Sequence, residues 1–471
     1  MHVPSKAQDL LSTTKKTEKT ILMFGFESSP LNPRERSGES DAKIARDILE
    51  RNKSKGYHSI IFTLPQTGHW LKSLVGEDSI TVLDKKNPET RNNRSLSWFL
   101  EALDCEWKSI LLDAEQLSLR KEEFKALTPD QRRAEVAKKI SFWSCLIEDR
   151  NVSAYINSNI PHILDDFIAY QICKTQNIPT LCAYRFPIFP GSVSRLLFFE
   201  DPLNQETPMN LNNIKNEEID ENLLRLAEQL PKTKKQKQRS SATRKAKEKI
   251  KTTLGLHSIT KHETTKIPEN FIYFPLHYQP EASSRPLGGI WGNQLLLIET
   301  LASMLPKNLF LAVKEHPLQL KKGKHREKDF YRTINSLQNT TLVHHNISSE
   351  FLLKKSRAAV TLTGTIALES LTYNKRCLIF GTSVLKRAPN AITPKNTSEL
   401  SRELEIISKN EETPIPKNKK IEFLEFIQEH SILGYLSSYT APQICDQLTE
   451  TENVKKVANI YTAWLENKTP Y

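Results

Sequence analysis

His316 and Pro317 close the stretch LFLAVKEHP, and upstream of it FIYFPLHYQPEASSRPLGGIWGNQ carries His277, Gln279 and Glu281. In both, an apolar run of strand character ends at a proline beside polar, ionisable side chains. The proline biases His316 towards extended backbone, so its imidazole is held at a strand end rather than within a helix. A histidine there can donate to an anionic oxygen as charge develops on it. Lys314 and Glu315 precede it, and strand alternation turns one of that pair away. A third group lies in TLTGTIALES, where an apolar strand ends in Thr363, Gly364 and Thr365 and a helix begins at once. The glycine lets backbone approach a ligand, while threonine hydroxyls and helix amides offer donors to an anion. Glu369, further along that helix, could accept from sugar hydroxyls. Singly, each group has an ordinary reading, such as a structural histidine or a threonine cap. Three strand-end groups in one domain read together as a cradle for a phosphate-bearing ligand.

The elements that must hold these residues alternate. Ile21–Phe26 reads as a strand, 42–52 as a helix, and His58–Leu64, Ser79–Asp84 and Ser109–Ala114 as strands. A long amphipathic helix is expected over Lys121–Leu146, followed by strand, loop, helix and strand to about residue 184. After a polar stretch the alternation resumes at Phe271 and runs to CLIFG, and Ile421–Leu465 reads as several helices. Strands alternating with helices favour parallel sheets. The fold class expected is therefore α/β, with two Rossmann-like domains and C-terminal helices. The boundaries expected are 1–205 for the first domain, 206–267 for a polar and basic linker or insertion, and 268–420 for the second. Helices over 421–471 are expected to close the cleft.

Composition narrows the setting. The chain has 471 residues, 38% of them hydrophobic and 26% charged, enough for more than one core. Nothing reads as a membrane span, and the polar N-terminus lacks the apolar core of a signal peptide, so a cytoplasmic setting is expected. The six cysteines, at 105, 145, 173, 182, 377 and 445, form no CxxC pair and are expected to be reduced and buried. Net charge is +12, but Lys232–Lys251 holds ten Lys or Arg against Glu248 alone. No aromatic interleaves that run, which argues against single-stranded nucleic acid. An anionic membrane surface is the better partner for it, making the chain peripheral at a membrane's inner face.

In the first domain, NIPHILDDFIAY places His162, Asp165 and Asp166 where a loop enters a helix. Acids there suit the helix dipole. One of them could also act as a general base or a nucleophile. Glu27, after the first strand, is a rival for that role, and Arg185 could meet an anionic group.

PLHYQPEASSRPLGG, VKEHP and TLTGTIALESLTYNKRCLIFG resemble the C-terminal domain of bacterial surface and capsular polysaccharide biosynthesis proteins. Among these the likeness is to the GT-B capsule transferases that use CMP-Kdo and carry Gln-Pro and His-Pro motifs. Gln279-Pro280 corresponds to the first motif and His316-Pro317 to the second. The Thr363-Gly364-Thr365 turn resembles the Ser/Thr-rich phosphate loop shared with bacterial sialyltransferases. The resemblance covers 271–381. It implies GT-B architecture and a nucleotide-sugar donor, CMP-linked, with His316, Thr363 and Thr365 at its phosphate and Glu369 at its ribose. It implies no metal or other cofactor, in keeping with the lack of a DxD-type motif. The acceptor would be a growing glycan, or a lipid-linked one, bound by the first domain. The expected function is thus a glycosyltransferase. The alternatives are a sugar-nucleotide epimerase, a CDP-alcohol phosphotransferase, or a non-catalytic glycan-binding assembly protein.

Overall fold

The computed structural model describes residues 19–26, 39–84, 105–186, 195–211, 261–279, 281, 284–321, 326, 329–410, 414–436 and 448–469. Glu27, Pro280 and the basic run Lys232–Lys251 lie outside the described residues.

The first domain runs β1 (Thr20–Phe24), α1 (Glu39–Ser54), β2 (His58–Thr63), α2 (Pro65–Val75), β3 (Ile80–Asp84), α3 (Cys105–Ser118), α4 (Glu122–Lys125) and α5 (Pro129–Asp149). It continues through β4 (Val152–Asn157), α6 (Leu164–Thr175), β5 (Thr180–Phe186) and β6 (Arg195–Phe199). The second domain opens with β7 (Phe271–Pro275), α7 (Gln294–Met304), β8 (Phe310–Lys314), α8 (Pro317–Lys321), α9 (Phe330–Ser336) and β9 (Thr340–Leu342). Then come α10 (Ser349–Lys355), β10 (Ala358–Thr361), α11 (Ile366–Thr372), β11 (Arg376–Ile379), β12 (Ala391–Ile392) and α12 (Thr397–Lys409). The C-terminal segment holds α13 (Lys417–Glu429), β13 (Ser431–Leu433) and α14 (Glu450–Lys468).

The second sheet is parallel throughout, in the order β12-β11-β10-β7-β8-β9. Counted from β7 this is the doubly wound 3-2-1-4-5-6 order, which reverses between β7 and β10. The first sheet, β13-β6-β5-β4-β1-β2-β3, has the same parallel centre with its reversal between β1 and β4. Two Rossmann-like domains in this tandem make a GT-B architecture, as expected. The strands are apolar on both faces because helices cover both; β2 is buried at every position. Each buried Ile, Phe or Leu contributes roughly 1.5–3 kcal/mol.

Three segments differ from the expectation. Ser109–Ala114 is not a strand; it lies inside α3, where Ile110, Ala114 and Leu117 make one buried helical face. A short apolar run fits either period, and packing against α5 and α6 decides for helix. The helix expected over Lys121–Leu146 is broken, because Thr128 caps α5 with a capping box and Pro129 occupies its first turn. The C-terminal segment is not all helix: Ser431–Leu433 extends the first sheet antiparallel to β6. Buried Arg195 fixes that pairing by donating from Nε to Ser431 Oγ at 2.7 Å. α14 then lies along α1, tied by Lys43–Glu450 at 2.7 Å and by Tyr57 donating to Thr469 O at 2.7 Å. The chain's end thus completes the first domain. One apolar cluster runs across both domains, from Phe186, Leu197 and Phe199 to Tyr273, Phe423 and Leu424.

Cys145, Cys173, Cys182 and Cys377 are buried and take part in no disulfide. Burial pushes the Cys377 thiol up to about 12, so it stays an inert, protonated core side chain.

Candidate functional site

Ligands of open α/β sheets sit outside the carboxyl ends of the strands, at the reversal of strand order. In the second domain that crevice lies between the ends of β7 and β10. His277 follows β7, and its Nε2 accepts from the Leu362 amide at 3.2 Å, which puts the ring proton on Nδ1. Thr361 Oγ1 lies 2.9 Å from the same nitrogen and accepts from the Gly364 amide at 2.8 Å. The imidazole therefore staples the two strand ends together. Burial first, then the proximity of His316 and of the Arg326 charge, pulls its pKa down to about 3, so the ring is neutral. Gly364 is required by this contact: a Cβ there would stand 2.8 Å from Thr361 Oγ1 and 3.2 Å from His277 Cε1.

His316, past β8, is half-buried and differently used. Its Nδ1 accepts from the Leu318 amide at 3.1 Å, so the neutral ring carries its proton on Nε2. Burial lowers its pKa; Glu315 opposes that, while Arg326 and Lys314 add to it. His316 is thus a neutral N–H donor at the strand end, and its ring stands 5.9 Å from that of Tyr278.

A residue not singled out from the sequence organises the loops around it. Arg326 grips buried Glu315 with two prongs, Nε to Oε2 at 2.8 Å and Nη2 to Oε1 at 2.7 Å. It also donates to His277 O at 2.9 Å and to Gln279 Oε1 at 2.5 Å. Tyr331 donates to Glu315 Oε2 at 2.8 Å, and the His316 amide donates to Oε1 at 2.5 Å. Glu315 and Gln279 are therefore positioning groups for the β7 and β8 loops. Gln279 further donates to Gly292 O and takes Gln319 Oε1 on its amide at 3.0 Å. Lys314 points elsewhere, to Ile347 O at 2.6 Å and Ser349 Oγ at 3.0 Å.

Beyond β10, Thr363 is buried and Thr365 exposed. Thr365 makes no side-chain cap; its hydroxyl donates to Glu369 Oε1 at 3.2 Å instead. Burial raises the Glu369 pKa, the Thr365 hydrogen bond opposes that, and Glu350 adds to it.

Across the crevice, the first domain contributes the loop between β4 and α6. Asp165 is buried against Lys139 at 2.7 Å, Lys121 at 3.3 Å and Trp143 Nε1 at 3.2 Å. Burial alone would raise its carboxyl, but the two lysines and the indole outweigh that and hold it below the usual range. Asp166 caps α6, accepting on Oδ1 from the Ile163 amide at 2.7 Å and the His162 amide at 3.1 Å. Both carboxylates are committed to structure in this geometry. His162 donates from Nδ1 to Ile160 O at 2.5 Å, which leaves the ring lone pair on Nε2.

Arg120, also not singled out from the sequence, links the two halves. It donates to His162 O at 2.5 Å. Burial lowers its pKa, and the carboxylates of Asp166 and of Glu281, then Tyr278, counter that. Asp113 and Arg285 couple across the same gap: burial raises the Asp113 carboxyl and the Arg285 charge opposes it. The structure therefore brings His162 and Asp166 to the same cleft as Tyr278, Glu281 and His316. Arg185 is exposed on β5.

A groove of about 680 Å³ lined by Lys266, Glu269, Asn270, Asn308 and Phe310 opens at the opposite, amino-terminal edge of the second sheet. By the strand-end rule that is the wrong edge for a nucleotide. Among the described residues no helix is long and apolar enough to cross a membrane.

Comparison with known proteins adds the following. The chain is similar over 95% of its length to all of Anabaena Alr3699/HepE, solved in complex with UDP and glucose, at 12% identity and TM-score 0.28. It covers 98% of Thermosulfurimonas dismutans KpsC, a beta Kdo 2,7 transferase, with 76% of its own length, at 10% identity and TM-score 0.32. With UDP-GlcNAc 2-epimerase from Neisseria meningitidis, bound to UDP-GlcNAc, it shares 15% identity and a TM-score of 0.22, covering 95% of this chain and 100% of that one. These likenesses are too distant to speak for substrate or reaction. A search of the curated proteins gives no match. The family model for "Capsule polysaccharide biosynthesis protein" matches residues 204–388, which include β7 to β11 and every second-domain residue of the cleft. Over that segment the chain is similar to the capsule polysaccharide biosynthesis proteins.

Proposed function

We propose that this protein is a glycosyltransferase that moves a sugar from a nucleotide donor, CMP-linked, to a growing surface or capsular glycan. The observation that carries the reading is the reversal point of the second sheet. There His277 ties the end of β7 to the turn that carries Thr363, Gly364 and Thr365, and one strand over, past β8, His316 carries its proton on Nε2. The family match over the same segment agrees with it.

In this reading the donor phosphate lies against His316 Nε2–H and the Thr363 and Thr365 hydroxyls, with Glu369 at the ribose. The acceptor hydroxyl, held by the first domain, attacks the anomeric carbon. The bond from that carbon to the phosphate oxygen breaks, and the nucleotide leaves with the electron pair. The acceptor's proton passes to His162 Nε2, and His316 stabilises the charge that appears on the leaving phosphate. Neither step calls on Asp165, whose carboxylate is held by two lysines. Arg120 keeps the His162 loop facing Tyr278 and Glu281 by gripping His162 O.

A lipid-linked acceptor would give the basic run Lys232–Lys251 a purpose, since each charge near an anionic surface adds roughly 1 kcal/mol of attraction. Co-sedimentation with phosphatidylglycerol vesicles, with and without that run, checks this: loss of binding on deletion is expected. The donor reading is tested by calorimetry with CMP, CDP, UMP, UDP and GDP. Preference for CMP supports it; preference for UDP moves the donor to a UDP-sugar; binding of none overturns it.

A further inference from the structure

The carboxyl end of β9, two strands from the reversal point, carries a cluster that the glycosyl-transfer reading leaves unused. The His344 carbonyl accepts from the Ile347 amide at 3.0 Å, so the chain turns as it leaves the strand. That turn stacks the rings of the consecutive residues His344 and His345, 4.4 Å apart and inclined by 24°. In an extended strand the two would point to opposite faces. Glu263 enters from a separate segment, laid against the strand by the Thr264–Val343 bridge. Its Oε2 lies 2.7 Å from His345 Nδ1 and 3.9 Å from His344 Nε2. The His345 amide donates to the other oxygen, Oε1, at 2.9 Å and fixes the plane of the carboxylate.

We propose that Glu263, His344 and His345 bind a divalent first-row transition ion, with zinc the natural candidate. All three ligand atoms lie within 4.8 Å of one another. Nitrogen and oxygen ligands about 2.0–2.2 Å from tetrahedral zinc stand roughly 3.3 Å apart, and the observed separations bracket that value. Two imidazoles and one carboxylate suit zinc and its neighbours better than magnesium or calcium, which take oxygen alone. Binding replaces the Nδ1 proton of His345 and moves the His344 proton from Nε2 to Nδ1, at the expense of a 3.3 Å contact with the Asn346 amide. The Lys314 charge reaches Glu263, but its ammonium already has Ile347 O and Ser349 Oγ as acceptors. With three protein ligands, a fourth position is left for water or an anionic ligand. The ion would clip the segment that enters the second domain to the edge strand of its sheet.

The test uses the full chain, stripped of metal and free of any affinity tag, titrated with Zn²⁺ and separately with Co²⁺. One tightly bound equivalent, with the visible bands of nitrogen- and oxygen-ligated Co²⁺, is expected. His344→Ala, at a part-exposed ring that the core does not need, should weaken binding by about tenfold or more. Glu263→Gln should do the same, with circular dichroism checking that it folds. His316→Ala, at the other histidine site, should leave the affinity unchanged. No bound equivalent in the unaltered chain, or equal affinity in His344→Ala, overturns the site.

Discussion

Glu315 and Arg326 face each other in a planar, two-pronged ion pair with N–O distances of 2.7 and 2.8 Å, both side chains almost fully buried. The pair is less a source of stability than a constraint on what surrounds it. Through Arg326 it reaches His277 O and Gln279 Oε1, and through Glu315 it reaches Tyr331 and the His316 amide. Removing one partner strands the other charge in the interior. Arg326→Ala or Glu315→Ala should therefore lower the unfolding free energy of the second domain by about 3–5 kcal/mol. A double replacement, Glu315→Met with Arg326→Met, should recover much of that loss while still weakening nucleotide binding. Denaturant unfolding of all three variants checks the expectation. Single variants within about 0.5 kcal/mol of the parent would show that the pair carries no such constraint.

His277 should make stability depend on pH. Its folded pKa is held near 3, whereas an unfolded histidine titrates at about 6.5. Below about 6.5 the unfolded chain gains a proton that the folded ring refuses. The stability is therefore complete above that pH and lost as pH falls towards 3. The slope contributed approaches roughly 1.4 kcal/mol per pH unit. In His277→Asn, stability between about pH 6 and 4 should change less steeply by that amount. Equal slopes in the two proteins would mean that the folded ring accepts the proton.

Gly364→Ala should disturb the crevice without unfolding the sheet. The added methyl meets Thr361 Oγ1 at 2.8 Å and His277 Cε1 at 3.2 Å, and both atoms belong to the staple across the reversal point. A cost of about 1–3 kcal/mol is expected, with a raised KM for the donor. Unchanged donor affinity would place the ligand away from this loop.

The expected folding of the second domain was largely legible, because most strands there are largely apolar and are followed within a few residues by Pro, Gly or Asn. Its site was legible only in part. His316 and the Thr363–Thr365 loop stood out because a proline or glycine marks the strand end. Arg326 did not, since it sits in the polar run GKHREKD and its partner is set by a loop closing in space. Arg120 stayed hidden for a related reason: its neighbours Glu281 and Tyr278 belong to the other domain. Asp165 and Asp166 drew attention as acids entering a helix, yet the lysines that commit Asp165 to structure come from α5 and the segment before α4. β13 is three residues long and gains strand form only from pairing with β6.

The first domain's chemistry separates along this line. His162→Gln should keep the fold and lower kcat by about 10²–10⁴, the range for losing a general base. Asp165→Asn should instead destabilise the domain by several kcal/mol, leaving Lys139 and Lys121 without their buried carboxylate. Circular dichroism melting and nucleotide release, measured on both variants, distinguish the two. A folded Asp165→Asn with the larger loss of kcat would return the basic role to the aspartate.

The central claim, a nucleotide-phosphate site at the end of β8 and β10, is tested most directly by calorimetric binding of CMP to the unaltered chain and to His316→Ala. Saturable binding that weakens by about tenfold or more in the variant, from the loss of a hydrogen bond to a charged group, is the result expected. Equal affinity in the two proteins, or no binding of CMP to either, would contradict it.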